Sequence, residues 1–159
     1  MESNLTGTVA LVTGASSGIG AATVRRLAGH GACVALVARR RDRLEALAAE
    51  IDKAGGSALV VAADITDRTQ AEAAVRQAVE RFGRLDTLVN NAGLMLLGPV
   101  VGADPEEWDR MIAINVQGLL YTSHPEACAG RGRRAGRRGD RTRLAQQARD
   151  PQRDHRPLL

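Results

Sequence analysis

Eight residues near the N-terminus, Thr13-Gly14-Ala15-Ser16-Ser17-Gly18-Ile19-Gly20, carry a glycine spacing that could hold phosphate. An apolar, β-branched run (Thr8–Val12) precedes them and a helical pattern (Gly18–Gly29) follows. Glycines in such a turn serve three ends: the turn is tight, a pyrophosphate can approach the backbone, and the helix packs close to the strand. The helix start then presents unpaired N–H groups and the positive end of its dipole to an anion. A glycine-rich turn without a ligand is the plainer alternative. The strand before and the helix after favour phosphate binding.

Three further groups could do chemistry. Arg39, Arg40 and Arg41 follow Ala38 at the end of the second apolar run, and a guanidinium fork suits a phosphate monoester. They could equally decorate a solvated helix start, where positive charge is mildly unfavourable. Asn90-Asn91-Ala92-Gly93 is a segment whose amides can bridge backbone groups and steady a turn. Asn115 lies on the face of a helix expected to be buried; by itself it reads as an asparagine pairing with backbone.

These groups are spaced by a regular alternation. Cys33–Ala38, Ala58–Ala62 and Leu85–Val89 read as further strands. Leu44, Leu47, Ala48 and Ile51 mark a helix over Arg40–Ala54, ended by Gly55-Gly56. Asp67 with Gln70 opens the next helix as a capping box, with Ala71, Ala74, Val75, Ala78, Val79 and Phe82 as its stripe. Asp104-Pro105-Glu106-Glu107 sets out a last helix that continues towards Tyr121. Continuous apolar strands alternating with helices predict an α/β fold, a doubly wound parallel sheet of about four strands covered on both faces.

Composition narrows the class. The chain has 159 residues, 44% hydrophobic and 25% charged, which suits one globular domain. The longest nearly apolar stretch, Leu94–Ala103, is about half a membrane span. The first residues lack the basic and apolar blocks of a signal peptide. Cys33 and Cys128 stand far apart, as do His30, His124 and His155, so no metal site is expected and a cytoplasmic location is. The charge is uneven: residues 125–159 hold ten arginines against four acids, a net +6, which leaves 1–124 at −2 within a total of +4. That tail has no periodic stripe. The reading is a domain over 1–124 and a disordered Arg/Gly/Pro-rich segment over 125–159.

The spacing Thr-Gly-x-x-x-Gly-x-Gly resembles the short-chain dehydrogenase/reductase family. Asn90-Asn91-Ala92-Gly93 is similar to that family's second signature, and Asn115 in Ile114-Asn115-Val116-x-Gly118 to the helix asparagine of its catalytic set. The resemblance covers residues 6–123. It implies a Rossmann-type sheet, a nicotinamide cofactor, and hydride transfer between alcohols and carbonyls. Carried onto this chain, it assigns cofactor contacts to Gly14, Ser16, Ser17, Gly18, Ile19, Gly20, Arg39, Arg40, Asp64, Ile65, Asn90, Ala92 and Gly93. Asp64 takes the adenine edge, Asn90 lies nearest the ribose, and Asn115 holds a water in a proton relay. Binders of NAD usually carry an acid at the end of strand two for the ribose 2′-hydroxyl, whereas a basic residue accommodates a 2′-phosphate. Ala38 followed by arginines therefore predicts NADP in preference to NAD.

The family's serine, and its tyrosine with a lysine four residues on, are not matched. The only tyrosine, Tyr121, is followed four residues later by Pro125; the only lysine is Lys53, and the only serine after Asn115 is Ser123. Tyr121 reads as a packing residue. The chain is read as following the family to 122–124 and then departing from it, as a shifted frame in GC-rich DNA would do. A truncated, cofactor-binding chain without catalysis is thus the expectation. A non-catalytic nucleotide module is the alternative, and a nucleic-acid arm in the basic tail ranks below both, because no aromatic is interleaved among its arginines. The fourth strand would be an exposed edge. Substrate is left open, and homo-oligomers, usual in the family, are doubtful for this chain.

Overall fold

The computed structural model describes residues 4–124; the expected tail at 125–159 lies outside them. Four strands, β1 (Val9–Thr13), β2 (Cys33–Ala38), β3 (Ser57–Ala62) and β4 (Thr87–Val89), form one parallel sheet in the order β3-β2-β1-β4. Between them run α1 (Gly18–Gly29), α2 (Arg41–Lys53) and α3 (Arg68–Phe82). After β4 come α4 (Pro105–Ile112), a π-helical stretch (Ala113–Gly118) and α5 (Leu119–Ser123).

Alternate strand residues feed two cores, the period of two that a pleat imposes. Val12, Val34 and Leu36 pack with Val24 of α1 and Leu44, Leu47 and Ile51 of α2 on one face. Leu11, Ala35, Val37 and Val61 pack with Ala71, Ala74, Val75 and Ala78 of α3 on the other, where Phe82 and Tyr121 also lie. The sheet is therefore doubly wound, and Tyr121 is a packing residue as expected. The predicted caps form: Asp67 accepts from the Gln70 N–H at 3.0 Å and Asp104 from the Glu106 N–H at 3.0 Å.

Several element ends shift by a residue or two from expectation, β1 to Val9–Thr13 and the start of β3 to Ser57 among them. The fourth strand starts at Thr87 rather than Leu85, because the Asp86 carboxylate accepts the Val9 N–H at 2.9 Å and takes the place of a ladder carbonyl. The last helix runs on to Ser123 as expected, but its middle, Ala113–Gly118, is π-helical. A Cβ on Gly118 would lie 2.7 Å from Ile65 Cδ1, so this glycine lets the helix seat against the loop after β3. Asn115, expected on a buried face, is exposed there. Trp108, Ile112, Val116 and Leu120, four residues apart, also face outwards at 43–58% exposure. Among the described strands β4 lies at an edge of the sheet.

Asp86 ties the start of β1 to the approach of β4. Arg84, then the Val9 N–H, hold its carboxyl below its ordinary pKa. A carboxylate depressed in the native state stabilises the fold above its unfolded pKa and loses that contribution as pH falls through the native value. Acid melts should show stability declining below about pH 4. Asp86→Asn should lower stability at pH 7 by about 1 kcal/mol and flatten that decline.

Candidate functional site

The carboxyl ends of β1, β2 and β3 open onto one cleft of about 350 Å³. Gly14, Ser16 and Ser17 of the β1–α1 turn line one wall, Arg39 and Arg40 another, Asp64 and Ile65 a third, and Ala92 and Gly93 the fourth. Nine of the thirteen residues assigned cofactor contacts thus meet in a single cavity, although they come from four loops.

The wall at β1 is held by a hydroxyl. Thr13 is fully buried, and its Oγ1 accepts from the N–H groups of Asn91 (3.1 Å) and Ala92 (3.0 Å). The Asn91 side chain returns the tie, donating from Nδ2 to the Thr13 carbonyl at 2.9 Å. Two glycines make room for that amide. A Cβ on Gly14, which has φ +67°, would sit 2.9 Å from both Asn91 Nδ2 and Ala92 Cα; one on Gly20 would sit 2.3 Å from the Gly14 carbonyl oxygen. These two glycines thus serve internal packing. Gly18 is different: φ is +55°, and a Cβ there would meet nothing within 4 Å, so the turn is open to an approaching group at that point.

α1 begins at Gly18 with Ser17 as its N-cap, yet no side chain caps it. The amides of Gly18, Ile19 and Gly20 lack intrahelical acceptors by position. The Ile19 side chain is 78% exposed and outside the cleft, so only its backbone can serve the site. The Ser16 and Ser17 hydroxyls instead accept from Arg40 Nη2 at 3.2 and 3.0 Å. Arg39 lies on the other side, its Nη1 3.9 Å from Asp64 Oδ2. Asp64 is oriented by Thr66, whose N–H and hydroxyl both donate to Oδ1, at 3.0 and 2.8 Å.

Asn90 does not line the cleft. Its Nδ2 donates to Ser123 Oγ (3.0 Å) and its Oδ1 accepts from the buried Thr122 hydroxyl (2.7 Å), so it anchors α5. Asn115 pairs with the backbone of Leu94 in both directions: Oδ1 accepts its N–H at 2.9 Å and Nδ2 donates to its carbonyl at 2.7 Å. That is the plain reading of a helix asparagine, made across 21 residues, and it fixes the segment after Gly93. Residues that sequence reasoning did not assign to the site include Thr13, Thr122, Asn91 and Ile114, the last two lining the cleft. Among the described residues no helix is long and apolar enough to cross a membrane.

The sequence matches the family described as short chain dehydrogenase over residues 8–132. It is 45% identical over 116 residues to a glycine betaine reductase of Emericella nidulans, covering 73% of this chain and 9% of that protein. A mutant of a Serratia marcescens short-chain dehydrogenase/reductase superposes with a TM-score of 0.74 at 48% identity, over 77% of this chain and 50% of that one. A short chain dehydrogenase from Burkholderia cenocepacia, solved in complex with NADP, gives 0.74 at 38% identity, over 78% and 51%. The chain spans about half the length of most curated relatives it matches.

Replacing Thr13 by Val keeps shape but leaves the Asn91 and Ala92 amides without their acceptor. The variant should lose about 1–3 kcal/mol in urea denaturation. Thr13→Ser should recover most of it. Wild-type stability in Thr13→Val would show that this tie does not hold the cleft.

Proposed function

The chain belongs to the short-chain dehydrogenases, and we propose that it binds a nicotinamide cofactor, NADP(H) in preference to NAD(H), without itself carrying out hydride transfer. One observation carries the reading: the cleft joins an open, uncapped helix start to a pair of arginines, with Ala38 where a carboxylate would select the 2′-hydroxyl. The residues fit such a group. Gly18 leaves space over the turn for a diphosphate, the amides of Gly18, Ile19 and Gly20 are free to donate to it, and Arg39 and Arg40 offer positive charge to a further phosphate. Asp64, steadied by Thr66, supplies an acceptor for an adenine edge, with Ile65 beside it. Gly93 and Ala92 complete the floor. The NADP-bound Burkholderia relative supports the preference.

A nicotinamide ring in this family supplies hydride exchange. The proton that must accompany it comes from a tyrosine whose pKa a neighbouring lysine lowers. Within these 159 residues Tyr121 has Pro125 where that lysine would stand, and it packs against the core. Asn115 is occupied by the Leu94 backbone. These placements support reading residues 1–124 as a nucleotide-binding unit.

Fluorescence titration should give NADPH a dissociation constant about tenfold or more below that of NADH, since one charge-assisted phosphate contact is worth that factor. Equal or tighter NADH binding would remove the preference. Steady oxidation of NADPH by a carbonyl compound in the presence of the purified chain would overturn the non-catalytic assignment.

A further inference from the structure

Beyond Gly93, the floor of the cleft continues into a segment that is tied to the last helix by three hydrogen bonds. Two of them are the Asn115 bonds to the Leu94 N–H and carbonyl. In the third, the Leu96 N–H donates to a thioether, with Met111 Sδ of α4 at 3.3 Å. After Leu96 the chain turns outwards, and Leu97, Val100 and Val101 are all exposed. Met111 is therefore the outermost of the ties. It is also the one that can change chemically, because a thioether is open to oxidation where an amide is not. Its side chain is half-buried, so an oxidant can approach the sulfur from the side that Leu96 leaves free. Met95, on the tied segment itself, is exposed and offers a second thioether for comparison.

We propose that Met111 is an oxidation-sensitive clasp, a positioning residue that fixes the floor of the cleft as a thioether and releases it as a sulfoxide. The oxidant is a peroxide. A sulfur lone pair attacks one peroxide oxygen, the O–O bond breaks and an S–O bond forms. The sulfur gives up two electrons, and the second oxygen leaves with both hydrogens as water. The oxidised sulfur is electron-poor and no longer suits an N–H donor, while an added oxygen has no room between Sδ and the Leu96 nitrogen at their present separation. The Leu96 amide must leave the sulfur, and the segment is then held only at Leu94, by Asn115. Ala92 and Gly93, which line the cleft, directly precede that remaining tie. For the cofactor the inference rests on the nucleotide reading above: the oxidised chain holds NADPH less firmly because one wall of its site is less well fixed.

The full chain is treated with hydrogen peroxide, cleared with catalase, and then given dithiothreitol, which restores reversibly oxidised Cys33 and Cys128 but leaves sulfoxides. Peptide mass mapping scores Met95 and Met111 separately, and NMR hydrogen exchange follows the Leu96 amide. Oxidation of Met111 should speed that exchange about fivefold, the effect of losing one modest hydrogen bond. The NADPH dissociation constant should rise by about the same factor. Methionine sulfoxide reductases of both stereospecificities should reverse both changes. Met95→Leu should keep the response, whereas Met111→Leu should exchange fast from the start and ignore peroxide. A Met111 that resists peroxide in the folded chain overturns the proposal. So does Leu96 exchange that ignores Met111 oxidation or follows Met95, and the wild-type chain decides this even where Met111→Leu fails to fold. Faster exchange with unchanged NADPH affinity overturns the link to the cleft. A chain that binds no NADPH in either state, yet shows the exchange response, removes the nucleotide reading and supports the clasp.

Discussion

The cleft depends on one buried hydroxyl. Thr13 Oγ1 receives two backbone amides from the loop after β4, and the Asn91 amide grips the Thr13 carbonyl in return. Without that exchange, β1 and β4 would be held by their three-residue ladder and by the Asp86 bonds at the opposite end. Buried amides that lose their acceptor are costly, so the tie also selects what surrounds it. Gly14 and Gly20 are needed because any side chain there would displace the Asn91 amide or the Gly14 carbonyl. Packing thus accounts for two glycines of the motif, and access for the third, Gly18.

Charge is arranged around this frame with little burial. Asp86 joins β1 to the approach of β4 at one end of the sheet. At the other end, Arg39 faces Asp64 and Arg40 faces serine hydroxyls. Exposed ion pairs of this kind add little to stability. Their value lies in orientation: a guanidinium held by two hydroxyls loses less freedom when an anion arrives. The cleft sets two guanidinium groups and one carboxylate around the glycine turn.

The last helix shows the opposite economy. Gly118 and Thr122 are buried, and they seat the π-helical stretch and α5 against Ile65 and Asn90. The other side carries Trp108, Ile112, Val116 and Leu120 into solvent, next to the open edge of β4. An apolar stripe beside a strand edge that no described strand pairs is a surface suited to association. Only one flank of this helix is used by the rest of the described fold.

Much of this was legible in the residues themselves. Strand and helix alternation, the helix caps at Asp67 and Asp104 and the glycine turn all follow from burial periods of two and 3.6 and from local capping chemistry. Such patterns act within a few residues, so a linear reading finds them. The partners of Thr13, Asn90, Arg40 and Asn115 lie 21 to 79 residues away. They were set by strand order and by the crossovers that carry each loop to the same end of the sheet. Hence Asn91 rather than Asn90 came to the cleft, Arg40 turned from Arg39, and a helix expected to run smoothly widened over Ile65. Local periodicity determined the elements; only the folded sheet could decide which polar groups met across it.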